Sequence, residues 1–299
     1  MTLQSLLPIL CCTAALILSF LCLFAGHKPS FMTDYPLVTL NVSRLAEGVV
    51  NKTLSSDSNP LSSLWDKVPS NIKDHIDDAA SSVSDEIGIE DFYQAHLLDY
   101  CYGQYTPAET PNATVSASDI KKNVTGCSNQ TAMFYFDPKE ILEEALNKSG
   151  TGVTLEDLNW PDDIQKGLDA LRIVSLTAFV LYCIAIGLIF LALIAALPAL
   201  FAQGRLTACL NWMVGILAFL AIGLASALVT AVIVKGSDLV NEHGNPVGVE
   251  AQRGNKFLAL TWAATGLMLI TLVVWSFEIC FGSGSRRSRR NAYPPAKHG

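Results

Sequence analysis

The sequence predicts an all-α membrane protein: a four-helix transmembrane bundle with a large, mainly helical first extracellular loop that contains a disulfide. Two observations lead to this fold class. Four apolar stretches are each long enough to cross a bilayer, which takes about 20 residues of helix. All six Asn-x-Ser/Thr sequons fall in one polar segment between the first and second stretches, as expected of an extracellular domain.

The apolar stretches divide the chain into spans and connecting segments. The first stretch differs from a secretory signal peptide, because no cation precedes it and Leu23 and Phe24 stand where a cleavage site needs small residues. A cleaved signal peptide is the alternative for this stretch. The predicted segments are a first span with a short cytosolic N-terminus at 1–26, an acidic glycosylated extracellular domain at 27–172, a second span at 173–201, a cytosolic turn at 202–205, a third span at 206–234, a second extracellular loop at 235–256, a fourth span at 257–281 and a basic cytosolic tail at 282–299.

Basic residues and sequons agree on the orientation of these spans. Cations gather on the cytosolic side of membrane proteins, so the basic tail and Arg205 in the short turn place both termini in the cytosol. Lys28 lies on the opposite side of the first span, but the rule is a sum over all short loops. The sequons place the segment 27–172 outside. The candidate glycosylation sites are Asn41, Asn51, Asn112, Asn123, Asn129 and Asn147.

The charges of the extracellular domain and of the tail have opposite signs. Residues 30–170 include 23 Asp and Glu against 9 Lys and Arg, which excludes nucleic acid as a partner. The tail is basic, and each cation near a membrane surface is attracted to anionic lipid by about 1 kcal/mol. We therefore predict contact with anionic inner-leaflet lipids at Arg286, Arg287, Arg289 and Arg290.

The cysteine positions predict one extracellular disulfide. Six of the eight cysteines lie within the spans or near their cytosolic ends, which leaves Cys101 and Cys127 in the extracellular domain. Two thiols that share an oxidising compartment are expected to pair with each other. Metal binding is the rival interpretation, but His75 and His96 have no ligand-type spacing with either cysteine.

Local patterns predict helices in the extracellular domain. Apolar residues at three- or four-residue spacing predict one helix over 68–87 and a shorter one over 89–100. Asp137 before Pro138 is a typical helix start with Asp137 as N-cap, and a further helix from Pro161 runs unbroken into the second span. Small residues four apart predict close packing within the bundle. These pairs are Ala192 with Ala196, Ala221 with Ala225, and Gly223 with Ala227.

Four short motifs follow one another between the first and second spans. They are Ile87-Gly88-Ile89-Glu90-Asp91-Phe92-Tyr93, Leu98-Asp99-Tyr100-Cys101-Tyr102-Gly103, Cys127-Ser128 and Phe134-Tyr135-Phe136-Asp137-Pro138. In this order they resemble the Sur-seven/PalI family of fungal four-span membrane proteins, and the resemblance extends from the first span to the fourth. It implies a claudin-like tetraspan with a disulfide in its first extracellular loop, here between Cys101 and Cys127.

The resemblance also implies residence in the fungal plasma membrane, often in the static furrow domains called eisosomes. The predicted function is therefore structural: organisation of cortical membrane domains, with the lipid bilayer, cortical scaffold proteins and the cell wall as partners. The alternative is an auxiliary sensor subunit of the PalI type in ambient-pH signalling. Members of that branch have a long hydrophilic tail, whereas this chain ends 18 residues after Phe281. An adhesive, claudin-like role needs an apposed cell surface that a walled cell seldom offers.

No catalytic motif occurs in the sequence. A phosphate-binding glycine loop, a nucleophile elbow and a His-Glu-x-x-His motif are all missing, so we predict no enzyme activity, no cofactor and no metal. An ion pathway is not expected either, because Glu278 and Asn211 are both near the ends of their spans. The oligomeric state stays open.

Overall fold

A computed structural model describes residues 3–44, 89–106, 120–149, 155, 162–200, 205–245 and 248–281. The elements, in chain order, are α1 (Leu3–Phe24), β1 (Val38–Asn41), β2 (Phe92–Ala95), β3 (Tyr100–Thr106), β4 (Lys121–Cys127), α2 (Pro138–Ser149), α3 (Asp162–Ala196), a 3₁₀ turn (Pro198–Leu200), α4 (Arg205–Gly244), β5 (Glu250–Arg253) and α5 (Asn255–Phe281). The chain forms two compact units. We name them the helix unit (Met1–Cys22, Ala178–Ala227 and Ala259–Gly299) and the sheet unit (Leu23–Thr177 and Leu228–Leu258).

Helices α1, α3, α4 and α5 confirm the four predicted spans. They have 22, 35, 40 and 27 residues, and a helix needs about 20 to cross the roughly 30 Å hydrocarbon core of a bilayer. Only 28 to 39% of each apolar window is buried inside the protein, so most of its side chains are available to lipid. The chain is therefore a multi-pass membrane protein. Helix α4 continues to Gly244, beyond the predicted span end at 234.

Small side chains let the helices of the helix unit approach one another closely. Ala192, Ala196, Ala221 and Ala225 are all buried, with at most 7% of their surface exposed, as the small-residue spacing predicts. At Gly223, an added Cβ would lie 3.7 Å from the Thr265 methyl group, in ordinary packing contact. Close approach at these positions supplies van der Waals attraction, the main force between helices in lipid.

Four hydroxyl side chains, which we name the hydroxyl cluster, connect three helices inside the helix unit. The Tyr182 hydroxyl on α3 donates to Oγ1 of Thr261 on α5. Ser226 Oγ on α4 lies 2.7 Å from Thr261 Oγ1 and 3.0 Å from Thr265 Oγ1. Each of these residues is at most 6% exposed. Because apolar surroundings offer no water as a substitute partner, these hydrogen bonds favour one particular packing of α3, α4 and α5.

The sheet unit contains a five-stranded antiparallel sheet in the order β4-β3-β2-β1-β5. The prediction of an all-α protein with a mainly helical loop is therefore wrong. The segment 89–100, predicted as a helix, holds β2 and the start of β3. Its aromatic residues favour strands, and pairing with β1 and β3 outweighs their helix-like spacing. The predicted helix over 68–87 lies outside the described residues.

One face of the sheet forms an apolar core with helix α2. Leu40, Tyr93 and Ala251 of the sheet join Leu142 and Leu146 of α2 in one buried cluster. The cluster also includes side chains from the parts of α3 and α4 that belong to the sheet unit, namely Ile164 and Leu168 of α3 and Val240 of α4. The sequence predicts this short helix correctly.

Asp137 caps helix α2 as predicted. Its Oδ1 accepts hydrogen bonds from the backbone amides of Lys139 and Glu140, at 3.1 and 3.3 Å. These amides have no partner within the helix, so the cap satisfies two donors that would otherwise need water. The prediction of a helix that runs unbroken into the second span is also confirmed, by α3.

We predict that Thr261→Val destabilises the protein in detergent by about 1 to 2 kcal/mol, because it leaves the Ser226 and Tyr182 hydroxyls with poorer partners. The measurement is denaturation of the purified full chain in a rising fraction of SDS. Thr177→Val is the matched control, since the Thr177 hydroxyl is exposed and bonds only to the Ile173 carbonyl of its own helix. Equal effects of the two substitutions would show that the cluster adds nothing to stability.

Candidate functional site: the disulfide and the β2–β3 turn

The disulfide joins neighbouring strands on the face of the sheet opposite the apolar core. Cys101 of β3 stands directly across from Cys127 of β4, and their sulfurs are bonded. In the same cross-strand row, Gln94 pairs with Cys101 and Thr39 pairs with Gln94. Cys101 is fully buried. The predicted pairing of Cys101 with Cys127 is confirmed.

The segment that follows α1 packs against this disulfide. The carbonyl oxygen of Gly26 lies 3.1 Å from the sulfur of Cys101. Gly26 has a φ of +84°, and a Cβ at this position would lie 2.4 Å from the His96 ring. Both observations exclude any larger residue, because the backbone conformation and the available space each demand glycine. Gly26 therefore lets the chain pass close to both the disulfide and the β2–β3 turn.

The β2–β3 turn buries two titratable side chains. Its backbone closes through a 2.9 Å hydrogen bond from the His96 amide to the Asp99 carbonyl. His96 is 2% exposed and Asp99 is fully buried. Within the described part of the chain, neither ring nitrogen of His96 and neither carboxylate oxygen of Asp99 has a partner at good hydrogen-bond geometry. Such burial is costly for a charged group, so each side chain favours its neutral form.

The pKa values of these two groups are shifted in opposite directions. Burial lowers the pKa of His96 to about 4, and the backbone of Tyr35 opposes this shift only in part. Burial raises the pKa of Asp99 to about 6, although the Gln130 side chain and the His27 ring favour its charged form. Between about pH 4 and pH 6, the folded protein therefore holds a neutral His96 and a protonated Asp99 in the same turn.

Aromatic rings cover the other side of β3. Tyr93, Tyr100 and Tyr102 have ring centroids 6.2 to 6.4 Å apart, and Tyr100 stacks on Phe134 at 6.2 Å. Phe136 contacts Tyr100 edge-on at 6.4 Å. Such pairs stabilise by about 0.5 to 1.5 kcal/mol beyond their buried area. These contacts hold Phe134 and Phe136, which follow β4 in the chain, against Tyr100 of β3.

A family model described as the SUR7/PalI family matches residues 4–274, which is most of the chain and includes all of the elements above except the first residue of α1 and the end of α5. The protein belongs to the SUR7/PalI family. Among curated proteins, it is similar to the SUR7 family protein pun1 of Schizosaccharomyces pombe, with 26% identity over 195 residues. The matched region covers 61% of this chain and 61% of pun1, so the chain spans less than two thirds of that relative. No solved structure matches the chain.

The predicted glycosylation sites of this SUR7/PalI protein lie in different environments. Asn123, Asn129 and Asn147 are exposed in β4, in the loop after β4 and in α2. Asn41 is only 4% exposed, at the end of β1, which lies between β2 and β5. Two further sequons and the lipid-contact arginines lie outside the described residues, namely Asn51, Asn112, Arg286, Arg287, Arg289 and Arg290.

The described part of this SUR7/PalI protein contains no group of three His, Cys, Asp or Glu side chains that could hold a metal. What the site can do is exchange protons at His96 and Asp99. Sequence reasoning assigned no role to either residue, since it treated both as part of a helix. The sequence His96-Leu97-Leu98-Asp99 contained a signal for this turn. Two apolar residues separate two polar ones, a spacing that fits a tight turn with His96 and Asp99 at its ends.

We predict that Cys101→Ser or Cys127→Ser lowers the stability of the sheet unit by about 3 to 4 kcal/mol on the chain-entropy model of disulfides. Each variant also leaves one unpaired thiol, so the protein should be retained in the endoplasmic reticulum. The measurement is the fraction of full-length protein at the cell surface. Cys183→Ser is the control, because Cys183 is a free cysteine in α3. Normal surface levels of both variants would mean that the bridge is dispensable.

We predict opposite pH effects for Asp99→Asn and His96→Gln, each measured as the difference in thermal stability from the wild type in detergent. The raised pKa of Asp99 destabilises the fold as pH rises from about 4 through 6, so Asp99→Asn gains most at pH 7. The lowered pKa of His96 destabilises the fold as pH falls from about 6.5 through 4, so His96→Gln gains most at pH 4. The His96 difference is on the order of 3 kcal/mol. Parallel pH profiles for the two variants would contradict this prediction.

Proposed function

We propose that this SUR7/PalI protein is a structural component of the plasma membrane that organises eisosome-type cortical domains and connects the membrane to the cell wall. Its sheet unit faces the outside, and both termini lie in the cytosol. Family membership and four membrane-spanning helices support a structural membrane role. The SUR7/PalI family is one of non-enzymatic membrane proteins, which supports a role without catalysis or cofactor.

The observation that carries this proposal is the disulfide in the sheet unit. Cys101 and Cys127 are bonded to each other, and structural disulfides persist in oxidising compartments rather than in the cytosol. The sequons of the chain all lie between Asn41 and Asn147, in the segment that supplies four of the five strands. Both features support an extracellular position for the sheet unit, where it would meet the cell wall.

The cytosolic contribution to this role is assigned to the basic tail. The four arginines of residues 282–299 lie in the sequence five to nine residues after the end of α5. Their attraction to anionic lipid adds up to about 4 kcal/mol at about 1 kcal/mol each. A protein held in this way, and by cortical scaffold proteins, would diffuse slowly within a lipid domain.

The second candidate function is a sensor subunit of the PalI type, and the β2–β3 turn is the observation that favours it. His96 and Asp99 are buried, and their pKa values lie near 4 and near 6, within a unit that the proposal places outside the cell. A change in external pH could therefore alter the protonation of this turn. The name of pun1 indicates its family and no process, so it does not choose between the two functions.

We predict that replacing Arg286, Arg287, Arg289 and Arg290 by Gln disperses the protein from immobile cortical patches while membrane insertion stays normal. The reason is the loss of up to about 4 kcal/mol of attraction to anionic lipid. The measurement is fluorescence recovery after photobleaching of a tagged full chain in fungal cells. The matched control replaces the same four arginines by Lys, which keeps the positive charge and should keep recovery slow.

Two results of this experiment would contradict the organiser function. If the wild type is uniform in the plasma membrane or endosomal, the sensor function is favoured instead. If the Gln variant recovers as slowly as the wild type, in patches of normal number, the tail only sets the topology and clustering must arise from the spans or the sheet unit.

A further inference from the structure

The sequon at Asn41 differs from the others because its side chains are part of the folded sheet. Asn41 Oδ1 accepts hydrogen bonds from the backbone amide of Ser43 at 3.0 Å and from the Ser43 hydroxyl at 2.7 Å. Both residues are 4% exposed. Asn41 belongs to β1, and its backbone pairs with Phe92 on one side and Glu250 on the other. The two polar residues that define this sequon thus bond to each other inside the protein.

The three other described sequons present their asparagines to solvent. Asn123 is exposed on β4, which is the last strand at its end of the sheet. Asn129 is exposed in the loop two residues after the disulfide. Asn147 is exposed near the end of α2, beside Lys148, whose ammonium group pairs with Glu144 at 2.7 Å. A large sugar chain can leave the protein surface at each of these positions.

An N-linked glycan is bulky and strongly hydrated, so it needs a path to solvent from its attachment point. At Asn41 the buried side chain has no such path, because a glycan there would have to displace the groups that cover Asn41 and Ser43, or bury sugar hydroxyls without water. We propose that Asn123, Asn129 and Asn147 carry N-linked glycans and that Asn41 remains unmodified as a structural residue. This proposal rests on the extracellular position of the sheet unit given under the proposed function.

The modification is a group transfer to the side-chain amide. A bond forms between Nδ2 of the asparagine and the anomeric carbon of a lipid-linked oligosaccharide. The amide loses one proton, and the lipid pyrophosphate leaves with the electrons of the broken carbon–oxygen bond. The donor belongs to the secretory membrane, so no group within this chain is consumed or regenerated.

Glycosylation at Asn123 also has a consequence for the sheet. An exposed edge strand offers unpaired backbone groups to other chains, and proteins protect such edges with charges or bulky groups. Among the described residues, β4 has β3 as its only strand partner and exposes Lys121 and Lys122 next to Asn123. A glycan at Asn123 adds a hydrated shield beside these two charges, of which the Lys122 ammonium group also donates to Gln252 Oε1 of β5 at 3.4 Å.

The test compares single variants of the full chain, expressed in fungal cells and run on gels before and after endoglycosidase treatment. We expect Asn123→Gln, Asn129→Gln and Asn147→Gln each to lose the mobility shift of one glycan. Asn41→Gln and Ser43→Ala should migrate with the wild type. Ser43→Ala removes the sequon but keeps the Asn41 side chain and the 3.0 Å bond from the backbone amide, so it tests the site even if Asn41→Gln misfolds.

A second measurement uses the wild type alone. Enzymatic deglycosylation converts each formerly modified asparagine to aspartate, so peptide mass spectrometry identifies occupied sites directly. The expected result is aspartate at positions 123, 129 and 147 and intact asparagine at position 41. Aspartate at position 41, or a mobility change in Ser43→Ala, overturns this inference and leaves the proposed topology intact. No glycan anywhere on the wild type overturns the proposed orientation, and this inference with it.

Discussion

The pairing of β1 on both of its sides is the constraint on which the sheet unit depends. Its four residues, Val38–Asn41, pair with β2 from the long segment after α1 and with β5 from the segment between α4 and α5. Backbone hydrogen bonds continue this pairing just before β1 begins. The Leu37 amide donates to the Ala95 carbonyl, and the Gly254 amide donates to the Leu37 carbonyl. A Cβ at Gly254 would lie 1.8 Å from the Pro36 carbonyl oxygen, so only glycine permits this approach. Among the described strands, only β1 pairs with β5 through backbone hydrogen bonds, and the Lys122 side chain of β4 also donates to Gln252 Oε1 of β5 at 3.4 Å.

Because side chains alternate along a strand, the register of β1 also decides what each face of the sheet can do. Leu40 points to the apolar core with Tyr93 and Ala251, whereas Asn41 belongs to the opposite face. A slip by one residue would place Asn41 in that core and move Leu40 to the opposite face, at a cost of several kcal/mol for the unpaired amide. The disulfide also fixes the register of β3 against β4. It joins Cys101 to Cys127 next to the irregularity between Tyr102 and Gly103, where the register shifts.

The parts of this structure that follow from local sequence are the ones that could be predicted. Four long apolar stretches, the Asp137 cap and the two cysteines outside those stretches can each be recognised from local sequence. The sheet does not, because β1, β2 and β5 have four residues each and β5 reads Glu-Ala-Gln-Arg, which has little preference for strands. Its strands are joined by contacts between distant parts of the chain, such as Asn41 with Glu250, and one sequence carries no signal for such pairs. The buried turn could not be predicted for the same reason, since the Gly26 segment that packs against the His96 ring lies 70 residues earlier in the chain.

The opposite pKa shifts at the β2–β3 turn bear on the choice between an organiser and a sensor. Between about pH 4 and pH 6, the folded state holds one proton on Asp99 and none on His96. Over the same range, unfolding releases the proton from Asp99 and adds one to His96, because both groups return to their ordinary pKa values. The number of protons bound is then nearly equal in the two states, so this pair leaves the stability of the sheet unit almost independent of pH. A sensor needs the reverse, a net uptake or release of protons on changing state. The compensation therefore favours a sheet unit that keeps its fold as the pH varies between about 4 and 6, as the proposed structural role requires.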